Sequence, residues 1–121
     1  MTEQECRDLQ QAGVDVAGSL ERFCGNEALL TRFWKEFLRD PSFADLQRAA
    51  AEGNVEDAFR AAHSLKGAAA NLGLVPIVQA ASPCVEALRA GDTGALAPES
   101  LQPLLAEYAR ICAALRAALH F

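Results

Sequence analysis

Apolar residues recur at three- and four-residue intervals along most of this chain, and no stretch alternates apolar with polar as a half-buried strand would. Leu29, Leu30, Phe33, Trp34, Phe37 and Leu38 form the clearest stripe, which predicts a helix over about residues 27–39 with Trp34 in the core. Gly, Pro and Asn cut the rest into segments of the same kind. A short amphipathic piece covers about 15–23, with Leu20 and Phe23 on one side, and Gly25-Asn26 ends it. Asn26 then caps the helix over 27–39. Asp40-Pro41 stops that helix and opens another over about 42–52, with Phe43, Leu46 and Ala50 on one side.

Gly53-Asn54 marks the next boundary. Asn54 is placed to cap a helix running through His63 to about Leu72, with Asp57 at the capping-box position and Gly73 as terminator. A helix over about 75–90 follows. Pro83 removes one of its ladder hydrogen bonds, so a bend, kink or bulge is expected there. Residues 91–94 read as a loop, and the last helix covers about 98–119. Helices with short connections and no strand predict an all-α fold. The expected architecture is an antiparallel four-helix bundle with one or two additional short helices, in one domain over residues 1–121.

Composition agrees: Ala and Leu dominate, with 51% apolar but only 7% aromatic residues. The formal net charge of −5 argues against binding a phosphate backbone, so no nucleic-acid partner is expected. No run of about 18 apolar residues is present to span a membrane. The acidic start Met1-Thr2-Glu3-Gln4-Glu5 lacks the basic, then apolar, pattern of a signal peptide, which points to the cytoplasm. Cys6, Cys24, Cys84 and Cys112 are far apart, without a C-x-x-C pair or a histidine at ligand spacing. They are expected to be reduced, and no metal or cofactor is expected on this chain.

The chemistry concentrates in His63-Ser64-Leu65-Lys66-Gly67-Ala68-Ala69-Ala70-Asn71-Leu72-Gly73. At about 100° per residue, Ala58, Ala61, Leu65, Ala68, Ala69 and Leu72 fall opposite His63 and form the core-facing stripe. His63 therefore points outward, among Glu56, Phe59, Lys66, Gly67, Ala70 and Asn71. Phe59, Gly67 and Ala70 make that exposed face unusually apolar, as a docking surface would be. Gly67 costs about 1 kcal/mol relative to Ala inside a helix, a cost explained if a partner's backbone must approach closely. Lys66, one turn on, is either a solvated surface lysine or a counter-charge for a group carried by the imidazole. Asn71 reads equally as a hydrogen-bond donor near the site or as a helix-ending residue.

His63-Ser64-Leu65-Lys66-Gly67 with Gly73 resembles the motif of the histidine-containing phosphotransfer (HPt) domain of multistep two-component relays. Gly25-Asn26-Glu27 with Leu29, Leu30, Phe33 and Phe37, Glu52-Gly53-Asn54, and the stretch from Val85 to Asp92 extend the resemblance over roughly residues 13–118. The resemblance implies that His63 accepts a phosphoryl group, at Nε2, from an aspartyl phosphate on a receiver domain and passes it to an aspartate on a second receiver. Lys66 would steady the phosphoryl oxygens, and Gly67 would leave room for the receiver. By the helical wheel, Phe59 and Ala70 would be docking contacts, with Asn71 at the edge of the same surface. The partners implied are receiver domains of hybrid sensor kinases and response regulators, which bring the Mg ion and its acidic ligands. The chain would act as a monomeric relay intermediate, not as a kinase. Ser82-Pro83 departs from the family's uninterrupted helix, so contacts from that helix, Arg89 included, are not carried over.

Other readings are weaker on the residues. The dimerising histidine helix of a sensor kinase would place an acidic residue where Ser64 stands, and 121 residues hold no ATP-binding region. A carboxylate-bridged metal bundle needs Glu three residues before the histidine, where this chain has Arg60. A helical adaptor that binds receiver or kinase domains without phosphotransfer remains the alternative. His120, at the end of the last helix, is assigned no role. The Met1 start and an end just after the last helix read as a free-standing module.

Overall fold

The computed structural model describes all 121 residues. It consists of α1 (Glu3–Ala12), α2 (Val16–Arg22), α3 (Glu27–Phe37), α4 (Ser42–Ala51), α5 (Val55–Asn71), α6 (Val75–Arg89) and α7 (Pro98–Leu119). A 3-10 turn at Thr93–Leu96 joins α6 to α7, and there is no strand. Helices α4 to α7 form the antiparallel bundle, with α5 packed between α4 and α6. No helix is long and apolar enough to cross a membrane.

The six helices foreseen from periodicity all form. Their ends are set by the expected caps: Asn26 Oδ1 accepts the Leu29 N–H and Asn54 Oδ1 accepts the Asp57 N–H, both at 3.0 Å. Asp57 completes only half of a capping box, because its carboxylate takes the Asn54 side-chain amide at 2.8 Å instead of the backbone N–H.

Three local features differ from the sequence expectation. Helix α1 was not foreseen. It buries only Leu9 fully, too little for hydrophobic periodicity to register. Local chemistry defines it instead: a reciprocal capping box between Thr2 and Glu5, and Gly13 at φ 105 beyond its end. The loop expected at 91–94 tightens into the 3-10 turn, whose first turn is capped by Asp92 Oδ1 accepting the Gly94 N–H at 2.8 Å. Of the bend, kink or bulge expected at Pro83, the bulge does not form: α6 is α-helical at every position from Val75 to Arg89. Pro83 and Gln79, whose carbonyl loses its partner, both lie on the exposed side, where water can serve that carbonyl. Alongside, the Ser82 hydroxyl donates to the Val78 carbonyl at 2.7 Å.

One cluster of 27 buried apolar residues draws on all seven α-helices. Trp34 is fully buried at its centre, and its indole Nε1–H donates to the Leu72 carbonyl at 2.9 Å. No buried side-chain polar atom lacks a partner. Phe43 of α4 stacks on Tyr108 of α7 at 4.3 Å, and burial pushes the Tyr108 phenol up to about 12. All four cysteines are free. Cys84 and Cys112 are buried, which pushes both thiols up, whereas Cys24 is exposed.

Candidate functional site

Helix α5 presents the candidate residues. Its inner face is almost all small: Ala58, Ala61, Ala62, Leu65 and Ala69 are buried, which lets the flanking helices pack closely. Its outer face exposes Glu56, His63, Gly67, Ala70 and Asn71, with Phe59 and Lys66 half-buried at the margins. The helical wheel placed Ala58, Ala61, Leu65, Ala69 and Leu72 inside and His63, Gly67 and Ala70 outside, as observed; Ala68, expected in the core, is on the boundary, and the fully buried Ala62 was not on its core stripe.

His63 is not isolated on that face. Its ring stacks on Phe59, one turn earlier, at 5.8 Å between centroids and 26° between planes. Arg89, from α6, lies over the Phe59 ring with its guanidinium carbon 5.2 Å from the centroid. Arg89 is thus a site neighbour that sequence reasoning set aside. Nothing local marks it; the packing of α6 beside α5, with no bulge at Pro83, brings it there.

The basic residues near His63 differ in their freedom. Arg60 is held by Glu56 and Asp57 at 3.2 and 3.4 Å, and Arg89 by Glu86 at 3.6 Å, whereas Lys66 pairs with no carboxylate. Gly67 faces open space: a Cβ built there would meet nothing within 4 Å. Gly73 contrasts with it, at φ 70, where a Cβ would collide with the Ser19 hydroxyl and lie 2.6 Å from the Asp15 carbonyl oxygen.

Asn71 stands at the far end of the face, away from the histidine stack. Its carbonyl accepts from Arg22 Nε at 3.2 Å, so Arg22 supplies the positive charge that the last turn of α5 lacks. It also lines a shallow cavity of about 600 Å³ with Phe23, Leu29 and Phe33. Leu29 and Phe33 are 37% and 38% exposed, and Phe33 meets Phe23 edge-on at 5.4 Å. Both belong to the apolar stripe that predicts α3. In the fold Leu30, Trp34 and Phe37 of that stripe are fully inside and Leu38 packs half-buried against the core, whereas Leu29 and Phe33 extend the apolar outer surface beyond α5. The opposite flank, between α4 and α5, is charged: Asp45, Arg48, Glu52, Asp57 and Arg60 line it beside Ser64.

No group of three or more His, Cys, Asp or Glu side chains could hold a metal ion. His120 sits at the end of α7, with Nε2 3.3 Å from the Glu5 carboxylate of α1.

A protein-family model described as the Hpt domain matches residues 28–119. The chain matches no curated protein and no solved structure at a significant level.

Proposed function

The chain belongs to the Hpt domain family, and on that premise we propose that it is a phosphorelay intermediate that carries the phosphoryl group on His63. In this reading His63 Nε2 attacks the phosphorus of an aspartyl phosphate on a receiver domain. The N–P bond forms as the P–O bond to the aspartate breaks, and the electron pair leaves with the carboxylate. Nδ1 keeps its proton, so the phosphorylated ring is positively charged until that proton passes to solvent. The reverse sequence loads the aspartate of a second receiver. The exposed position of His63 and the absence of a carboxylate on Lys66 support these roles, since a free ammonium one turn away can meet the phosphoryl oxygens.

Gly67 carries the reading. A glycine in mid-helix costs about 1 kcal/mol against alanine, and nothing within the chain requires it, because a Cβ there would touch nothing. A surface that must let another backbone approach beside His63 accounts for it. Phe59, Gly67 and Ala70, with Asn71 at the edge, form the docking face we assign to receivers of hybrid kinases and response regulators. The Mg ion and its acidic ligands belong to the receiver. The chain acts as a monomer in the cytoplasm, as a phosphocarrier without kinase activity.

The test is label transfer from a receiver charged with radioactive acetyl phosphate. Wild-type chain takes the label, and His63→Gln takes none. Transfer to His63→Gln would defeat the relay reading and leave the adaptor.

A further inference from the structure

We propose that Phe59 is a positioning residue for His63, anchored in turn by Arg89, and not only part of the docking face. Its functional half rests on the relay reading above; its structural half does not.

An exposed histidine on a helix has a broad χ2 and several open rotamers. In-line attack on phosphorus needs the nitrogen held near 3–3.5 Å from its target and aligned, and a misplacement of about 1 Å costs on the order of 10²-fold in rate. His63 receives no hydrogen bond or ion pair from the chain that would orient it. It does have the Phe59 ring one turn below, the i, i+4 spacing at which helical side chains meet. At 5.8 Å and 26° the two rings form an offset stack. The Phe59 ring thereby flanks the imidazole on one side. Both ring nitrogens lie on the perimeter, so a ring flanking one side restricts rotation without blocking the nucleophile.

Phe59 can do this only if it is itself held. It is half-buried at the α5–α6 boundary, and the Arg89 guanidinium lies 5.2 Å from its ring centre. Arg89 also pairs at the surface with Glu86, one turn earlier on α6, at 3.6 Å. The order of support is Arg89 to Phe59 to His63, and it crosses from one helix to the next. A residue serving docking alone would need apolar area but no aromatic partner on the histidine side.

Phe59→Leu keeps the apolar area and removes the stack, whereas Phe59→Tyr keeps both. Transfer from an acetyl-phosphate-charged receiver, measured by rapid quench over a range of receiver concentrations, separates the two roles. Phe59→Leu is expected to lower the maximal rate about 5–10-fold, with the half-saturating concentration within about two-fold of wild type, and Phe59→Tyr to restore the rate. A raised half-saturating concentration at unchanged maximal rate would make Phe59 a docking contact only and overturn the proposal, as would no change in either. NMR judges the stack without any phosphotransfer. Ring-to-ring NOEs between Phe59 and His63, and a ring-current shift of the His63 ring protons lost in Phe59→Leu, are expected. Their absence in a folded wild-type chain overturns the positioning role. Their presence in a chain that accepts no label would instead count against the relay reading alone.

Discussion

Gly67, inside the C-terminal half of α5, and Gly73, just past its end, belong to one motif and sit in opposite surroundings. Gly73 is at φ 70, with the Asp15 backbone and the Ser19 side chain where a Cβ would be, and its carbonyl accepts the Asp15 N–H at 2.8 Å. The chain's own packing explains it completely. Gly67 has ordinary helical geometry and empty space beside it, so its explanation lies outside the chain. The end of α5 is built to fasten the helix to α2 and α3; the surface around Gly67 is left smooth for something that arrives later.

Three substitutions probe that contrast. Gly73→Ala should be the most damaging, because it adds left-handed strain to a collision with the Asp15 backbone. A loss of about 2–5 kcal/mol is expected, read from urea unfolding. A loss below 0.5 kcal/mol, within the range of ordinary surface changes, would mean that the α2–α5 junction yields easily. Trp34→Phe leaves the buried Leu72 carbonyl without its indole donor and should cost about 1–3 kcal/mol by the same measurement. An unchanged midpoint would remove α3 from the set of elements that hold this end. Gly67→Ala should reverse the sign, raising stability by up to about 1 kcal/mol while slowing transfer from a charged receiver. Stability and transfer moving together at this position would erase the distinction between the two glycines.

Much of the site was legible in the chain because α5 is regular. A helix has a fixed angle per residue, so the side chains sharing a face with His63 follow from numbering alone. The caps at Asn26 and Asn54 were legible for a similar reason: capping is a contact between residues three apart. Helix α1 escaped a search for apolar stripes because Leu9 is its one fully buried residue, although the Thr2–Glu5 capping box was there to be read. Periodicity groups Leu29 and Phe33 with the apolar stripe of α3, although both are more than a third exposed. It does not say where the neighbouring helices stop covering it.

By itself the sequence determined the helical class, nearly every helix boundary, and the outward direction of His63 with Phe59, Lys66, Gly67 and Ala70. These rest on interactions within a few residues, which local spacing encodes. Only the tertiary structure decided that Arg89 lies over Phe59, that Arg22 closes the end of α5, that α6 continues as α-helix through Pro83, and that Gly67 and Gly73 lack side chains for unrelated reasons. Each of these depends on which helix lies beside which, at what separation, and that is set by close packing across the whole core rather than by any one segment.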